Sequence, residues 1–373
     1  MPIFMDRHDI KGVTAEDVAK VHQKDLEIQH LYNCRGLTYW FDEERGTAFC
    51  LVEAPDRQSL QDMHDDAHGM VPHQIIEVDS KLVEAFLGRI EDPDPAAEIP
   101  DSELYIFEDP AYRSIMILEL KQAALIPSVT GLTKARELFR ELNNLIQESI
   151  TRHGGRVVKS TYHFFTAAFT SISNSVECAV NIQERLMEQT DKKGGFAVQP
   201  GIGINAGEPV TKNEDFFGDT VQFAERLCYI ANDAQIRVSA NVREHYQKET
   251  LRDLSKEKFL YTLNSQEEVF LDRLMDATEK IWNQDGFKVG NYCRLIGESK
   301  SQLYRNIKRL TGRSATEFMK EFRLNRALDL LEEKPDNISQ IAYETGFNNP
   351  SYFSKCFKER YGLLPSEFID HLN

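Results

Sequence analysis

Apolar and polar positions recur with two different periods along this chain, and each change of period marks a new part. From Asn337 to Pro365, NISQIAYETGFNNPSYFSKCFKERYGLLP, apolar residues return every three or four positions, which predicts two helices joined by a tight turn. Ser339 is the expected N-cap of the first helix, with Ile341 and Ala342 on its buried side. Gly346 falls where the turn needs a positive φ. Pro350 suits the first turn of the second helix, because its missing N–H would have no partner there. Phe353 and Phe357, four apart, form the inward stripe. Ser351, Tyr352, Ser354, Lys355 and Lys358 are left for the outer face. A short, polar, basic face of this kind is what a helix lying in a DNA major groove requires.

A second copy of the pattern lies roughly fifty residues upstream. Cys293 stands where the later copy has Ala342, and Gly297 follows four later. Ser299 caps the next helix, and Leu303 and Ile307 are its inward pair. Lys300, Ser301, Gln302, Tyr304, Arg305 and Lys308 point outward. Between the copies, SATEFMKEFRLNRALDLLEEKP opens with a capping box from Ser314 to Glu317 and keeps helical spacing up to Pro335. One long helix is therefore expected to tie two small units together.

Upstream the period shortens to two. Residues 1–90 read as β-α-β-β-α-β, with strands at Pro2 to His8, Leu37 to Phe41, Ala48 to Val52 and Ile75 to Val78. That order predicts a small ferredoxin-like sandwich. Residues 91–104 begin EDPDPAAEIPD, acidic and proline-rich, and read as a linker. A second α/β domain spans 105–247, with strands at Ser114 to Leu120, Arg156 to Ser160, Phe164 to Phe169, Val198 to Ala206 and Ile236 to Ser239. Residues 248–265 read as a charged connector, and 266–373 as the all-α domain with two helix-turn-helix units. The expected fold class is thus multidomain α+β.

Charge sharpens this division. The chain of 373 residues carries a net charge of −16, which looks wrong for a DNA binder until it is divided. Residues 1–265 hold 28 basic and 43 acidic side chains, and residues 266–373 hold 16 and 17. Within Gly286 to Arg326 there are 10 basic and 3 acidic. Positive charge is concentrated where phosphates would lie. No apolar run approaches the roughly 20 residues of a membrane span. MPIFMDRHDIKG has neither a basic start nor a long apolar segment, so no secretion signal is expected. Six scattered cysteines without a C-x-x-C pair suggest reduced thiols in a cytosol.

Histidine is crowded in residues 1–90, which hold six of the ten. His64 and His68 share a helix face, His73 follows just past the turn, and His8 sits on the first strand. Converging imidazoles bind Ni²⁺, Cu²⁺ or Zn²⁺. The alternative is a plain polar helix face.

Three resemblances rest on these residues. SQLYRNIKRLTGRSATEFMKEFRLNRALDLL and ISQIAYETGFNNPSYFSKCFKERYGLLPSEF resemble the DNA-binding domain of AraC/XylS-family transcription regulators over the whole of 266–373. The resemblance implies two recognition helices reading major-groove segments about one turn apart, and it adds Asn348 and Asn349 to the residues of the second. YWFDEERGTAFCLVEAPD and DDAHGMVPHQIIEVD resemble small ferredoxin-like domains that bind nickel. HGGRVVKS, ECAVNIQERL, GIGINAGEPV, FFGDTVQFAERL and IRVSANV resemble the class III nucleotide cyclase homology domain.

Such cyclases hold two metal ions on two aspartates. The resemblance puts Glu119 at the first of these positions and His163 at the second, a poor ligand for a hard Mg²⁺. Gln222 replaces the ribose-orienting asparagine. Lys159 and Asp215 match the base-recognition positions and Arg226 the transition-state arginine, with ordinary surface charge as the alternative for all three. A cyclase-like fold that has lost its chemistry, and that still pairs two chains, is the expectation.

The leading reading is a cytoplasmic, non-enzymatic, DNA-binding transcription regulator. It would act as a homodimer, respond to a metal or small-molecule effector with nucleotide the weaker candidate, and engage RNA polymerase if it activates. An active cyclase carrying a DNA-binding tail, and a metal-buffering protein, are the alternatives.

Overall fold

The computed structural model describes residues 1–93, 106–121, 123–193, 198–211, 215–232, 234–252, 254, 258–333 and 337–372. Most of the linker expected at 91–104 lies outside the described residues.

The first unit runs β1 (Ile3–Asp9), α1 (Ala15–Ile28), β2 (Arg35–Asp42), β3 (Thr47–Glu53), α2 (Arg57–His68), β4 (Gln74–Val78) and α3 (Ser80–Leu87). Thr14 and Asp17 cap α1 reciprocally. The sheet is antiparallel, in the order β2-β3-β1-β4. Side chains alternate across it. Phe4, Ala48, Cys50 and Val52 pack under α1 and α2 against Val18, Ala19, Leu60 and Met63. Met5, Phe49 and Leu51 face the other way, onto Ile115, Ile117 and Ala168 of the second unit. Both faces are therefore buried, which is why LTYWF and AFCLV are nearly continuously apolar rather than alternating.

The second unit runs β5 (Arg113–Glu119), α4 (Ile126–Thr130), α5 (Leu132–Arg152), β6 (Arg156–Ser160), β7 (Phe164–Phe169), α6 (Ile172–Lys193), β8 (Gly201–Gly207), α7 (Gly218–Ile230), β9 (Ile236–Val238), α8 (Ala240–Thr250) and β10 (Leu260–Thr262). Its sheet order is β10-β9-β8-β5-β7-β6. One face packs on α5, α6 and α8, and the other on α7 and the first unit. A Cβ at Gly203 would stand 2.2 Å from the Ala224 carbonyl oxygen, so glycine lets α7 cross β8 at backbone contact. The connector expected at 248–265 departs from its sequence reading: it supplies β10, which pairs in parallel with β9. Leu260 and Leu263 are buried there, and the charges around them hide so short a strand.

Polar ties hold these two units together. Arg7 donates to the Val210 carbonyl at 2.9 Å and pairs with Glu208 at 2.7 Å. Arg113 is buried and donates to the carbonyls of Phe86 and Leu87 at the end of α3, each at 3.2 Å.

The third unit is all helix: α9 (Ser265–Ile281), α10 (Val289–Ile296), α11 (Lys300–Thr311), α12 (Ala315–Glu333), α13 (Ile338–Glu344), α14 (Pro350–Tyr361) and α15 (Pro365–Leu372). Asn337, not Ser339, is the N-cap of α13: its side chain accepts from the Gln340 amide at 3.0 Å. Asparagine caps as well as serine and lies directly before the first apolar residue. Gly297 and Gly346 hold φ of 78° and 74° in the two turns. All six cysteines are free thiols. No helix among the described residues is long and apolar enough to cross a membrane.

Candidate nucleic-acid interface and metal centre

Two recognition-type helices present the polar faces. In α11, Ser299 and Gln302 form a reciprocal cap, and Leu303, Ile307 and Leu310 are buried. Lys300, Ser301, Gln302, Tyr304, Arg305 and Lys308 lie on the exposed side. In α14, Phe353 and Phe357 are buried, while Asn348, Asn349, Ser351, Tyr352, Lys355 and Lys358 are exposed. Tyr304 and Tyr352 keep 57% and 55% of their surface open, which is unusual for tyrosine and suits contact with a base or sugar. Besides Gln302, three more of the outward residues also serve the helix itself. Asn349 accepts from the Ser351 and Tyr352 amides at 2.8 and 3.1 Å as the N-cap. Half-buried Ser354 donates to the Pro350 carbonyl at 2.9 Å, and Lys308 donates to the Gly312 carbonyl at 2.7 Å.

Arg323, in the middle of α12, ties the end of α9 and the turn before α14 to that helix. Its guanidinium donates to the carbonyls of Trp282 at 2.6 Å, Gln284 at 2.7 Å and Gly346 at 2.6 Å. The first two follow α9; the third is the turn before α14. Sequence reading missed this residue, because nothing in the helical spacing sets it apart from Arg326.

In the first unit, β1, α1 and α2 converge on one buried cluster. Asp6 and His8 are two apart on β1 and so point the same way as Phe4, under the helices. His64 on α2 is the hub. Its Nε2 lies 2.8 Å from Asp6 Oδ2, and its Nδ1 lies 3.2 Å from Asp25 Oδ1 and 3.1 Å from His68 Nε2. His8 Nε2 is 3.2 Å from Asp6 Oδ1. Asp6, His8, Asp25 and His64 are all buried. Burial works against the Asp6 charge, yet His8 and His64 hold its carboxyl well below the usual range. Burial likewise works against charge on His64, yet Asp6 and Asp25 on either side push it up to about 10.

Two sets, Asp6–His8–His64 and Asp25–His64–His68, each bring their ligand atoms within 4.8 Å of one another. A cavity of about 20 Å³ adjoins them, walled in part by His22, Asp25, Cys50 and His64. That is room for one water or one ion. Cys50 N–H donates to Asp6 Oδ1 at 3.1 Å and Met70 N–H to His68 Nδ1 at 3.0 Å, orienting both side chains from behind. Nitrogen and carboxylate donors in this arrangement fit a divalent transition metal. His73 is in neither set; it is exposed, and its Nδ1 accepts from the Asp9 amide at 3.1 Å. Asp6 and Asp25 were not among the sequence candidates. Asp6 had a signal in its spacing to His8, but Asp25 had none.

The cyclase-like positions open onto a cleft of about 270 Å³ whose far wall is the third unit. Glu119, His163, Gln222 and Arg226 line it on one side, and Glu279, Phe322, Asn325 and Asp329 on the other. Lys159 and Asp215 are exposed and are not among its lining residues. Arg226 is buried and pairs with Asp272 and Asp276 of α9, both at 2.5 Å. Tyr162 donates its hydroxyl to Glu332 of α12. Burial lowers the His163 imidazole below its ordinary range, against the pull of Glu332 and Glu119. Arg226→Ala is expected to loosen α9 from α7, raising amide exchange along α9 on the order of tenfold, as hydrogen–deuterium exchange would read. Unchanged exchange would mean that apolar packing alone holds the contact.

The family described as Helix-turn-helix domain matches residues 292–371, and that described as Nickel responsive protein SCO4226-like matches residues 4–78. The HTH-type transcriptional activator RhaS of Mannheimia succiniciproducens is 43% identical over 65 residues, 17% of this chain and 24% of that protein. Putative adenylate cyclase 3 of Rhizobium meliloti is 27% identical over 114 residues, 30% of this chain and 19% of that protein. The crystal structure of SCO4226 from Streptomyces coelicolor A3(2) is 34% identical, with 20% of this chain and 94% of that one covered at a TM-score of 0.20. The chain spans between 8% and 31% of the length of the first three curated relatives it matches. Its amino end is thus similar to the family described as Nickel responsive protein SCO4226-like, and its carboxyl end to helix-turn-helix domains of the kind transcription regulators carry.

Proposed function

We propose that this protein is a cytoplasmic, sequence-specific DNA-binding regulator of AraC type whose activity is set by a transition metal at its amino end. The observation that carries this is the pair of exposed, basic helices α11 and α14 in one all-helix unit. The four-stranded order of the first unit, that of a ferredoxin-like sandwich, and its buried histidine–aspartate cluster support a nickel-sensing role. Bound metal would be held by His64 with His8, His68, Asp6 and Asp25, and would supply positive charge that ties β1, α1 and α2 together. Met5 and Asp6 are neighbours on β1, one facing the second unit and one the cluster, so a shift of β1 is a direct route between them. To regulate, the metal must favour one arrangement of the reading heads over another.

The middle unit is read as a degenerate cyclase-like domain without catalytic activity. Glu119 and His163 stand in place of an aspartate pair, and Arg226 is committed to α9. Pairing of two chains through this unit, and contact with RNA polymerase at an activated promoter, complete the reading. Selection of bound fragments from genomic DNA, with and without Ni²⁺, tests it. A preferred sequence is expected, bound differently when the metal is present, and no preference under either condition would refute it. Arg305→Ala and Lys355→Ala are each expected to weaken operator binding by about 1–3 kcal/mol where the side chain reads a base edge. Fluorescence anisotropy would measure this, and an equal loss on random duplex would assign them to phosphate.

A further inference from the structure

The first half of α12 and the turn before α14 border a hollow that no role assigned so far uses. We propose that this hollow seats one backbone phosphodiester of bound DNA, with Lys320 of α12 as the cation that meets it. The proposal rests on the DNA-binding reading above and adds a contact outside both recognition helices.

Position comes first. α11 ends at Thr311 and α12 begins at Ala315, so α12 starts beside the first reading head. Arg323, further along α12, donates to the Gly346 carbonyl in the turn before α14. Thr316 to Arg323 therefore covers the way from one reading head to the other, roughly 10 Å along the helix. A hollow of about 340 Å³ lies against these residues, and Phe287 and Phe347 line it from the neighbouring segments. Asn348, Asn349 and Tyr352 line it as well. All three are exposed and belong to the second reading head, so the hollow is continuous with the DNA face. Where two helices occupy major-groove segments about one turn apart, the duplex between them presents a minor groove and the phosphates that border it.

Charge agrees with position. The lining includes two cations, Lys320 and Arg323, and no carboxylate among the described residues. Arg323 is committed to its three carbonyls, with Asp285 as the acid that acts on it. Lys320 is half-buried, and its ammonium makes no hydrogen bond or ion pair among the described residues. Glu317, three residues earlier, is the carboxylate that feels Lys320, but it already accepts from the Ser314 amide at 2.7 Å. A cation left open in a hollow free of carboxylates suits a phosphate oxygen. The Asn348 side chain is also without a hydrogen-bond partner among the described residues and adds a neutral donor. The remaining wall argues for a backbone phosphate over a free, fully hydrated anion. Phe287, Met319 and Phe347 are apolar and match the carbons of a deoxyribose.

Fluorescence anisotropy of the full chain tests this, on its selected fragment and on a random duplex of equal length, over a range of salt. Lys320→Gln is expected to weaken binding to both by the same factor, roughly three- to tenfold at about 0.1 M salt. The slope of log affinity against log salt should become shallower by about 1. Lys320→Arg keeps the charge and is expected to keep the slope. A neutral methylphosphonate is then placed at each phosphate between the two read segments in turn. At one position it is expected to weaken binding by the unaltered chain and to leave Lys320→Gln unaffected. An unchanged slope for Lys320→Gln, a loss confined to the selected fragment, or no position whose effect depends on Lys320 would overturn the proposal. A chain with no preferred sequence would refute the regulator reading instead, and the random duplex would still decide the role of Lys320.

Discussion

Arg323→Leu is expected to destabilise the carboxyl-terminal domain by on the order of 4 kcal/mol or more and to abolish sequence-specific DNA binding. The reason is the number of groups that depend on one side chain. Three carbonyls, from Trp282, Gln284 and Gly346, accept from its guanidinium at 2.6–2.7 Å. A hydrogen bond from a charged donor contributes roughly 1.5–3 kcal/mol net, and a buried carbonyl left without a partner costs about 1–3 kcal/mol. Against a domain stability of about 5–15 kcal/mol, that loss is large. Arg323→Lys should fall between, because an ammonium is a point donor and cannot span the carbonyls as the planar fork does. Urea denaturation followed by circular dichroism measures the first effect, and footprinting measures the second.

Gly346 belongs to the same joint. A Cβ there would stand 2.7 Å from Arg323 Nη2 and 2.8 Å from the Trp282 carbonyl, at a φ of 74°. Gly346→Ala should therefore weaken the joint in the same direction. Full stability of Arg323→Leu would mean that packing of Phe322, Phe347 and Phe353 holds the turn before α14 unaided.

His64→Ala with His68→Ala is expected to abolish Ni²⁺ binding in calorimetry, while His73→Ala leaves it intact. His64 is the one imidazole common to both donor sets, so neither can form without it. The double substitution also strands Asp6, which is fully buried, beside His8 alone. Removing one partner of a buried ion pair costs about 3–5 kcal/mol, so the first unit should lose thermal stability even without metal. His64→Gln separates the two effects, since its amide can still donate to one carboxylate but is a weak metal ligand. Unaltered titration of the double variant would place any metal elsewhere in the chain.

Much of this was legible in the sequence because it depends on local rules. The helical period gave α11 and α14, the turns needed Gly297 and Gly346, and the outward residues follow from the inward ones. His64 and His68 share a helix face by spacing alone. Other features were not legible. Asp25 joins the cluster only because α1 lies beside α2 on one face of a sheet, a contact no local pattern encodes. β10 was masked by the charges around Leu260, since a three-residue strand has too few positions to show a period. Ser354 fits the outer face by spacing and Asn349 by resemblance, yet both hydrogen-bond within their own helix.

Periodicity and turn chemistry along the chain are enough to set which segments are helix or strand, where the units divide and which helix faces are polar, because each depends on neighbours a few residues away. Three things were decided only in the folded molecule: the pairing of Arg226 with Asp272 and Asp276, the hold of Arg323 on three distant carbonyls, and the cleft walled by two units. Each brings together groups separated by tens of residues, and direct hydrogen bonds and ion pairs reach only a few ångströms in space, without regard to distance along the chain.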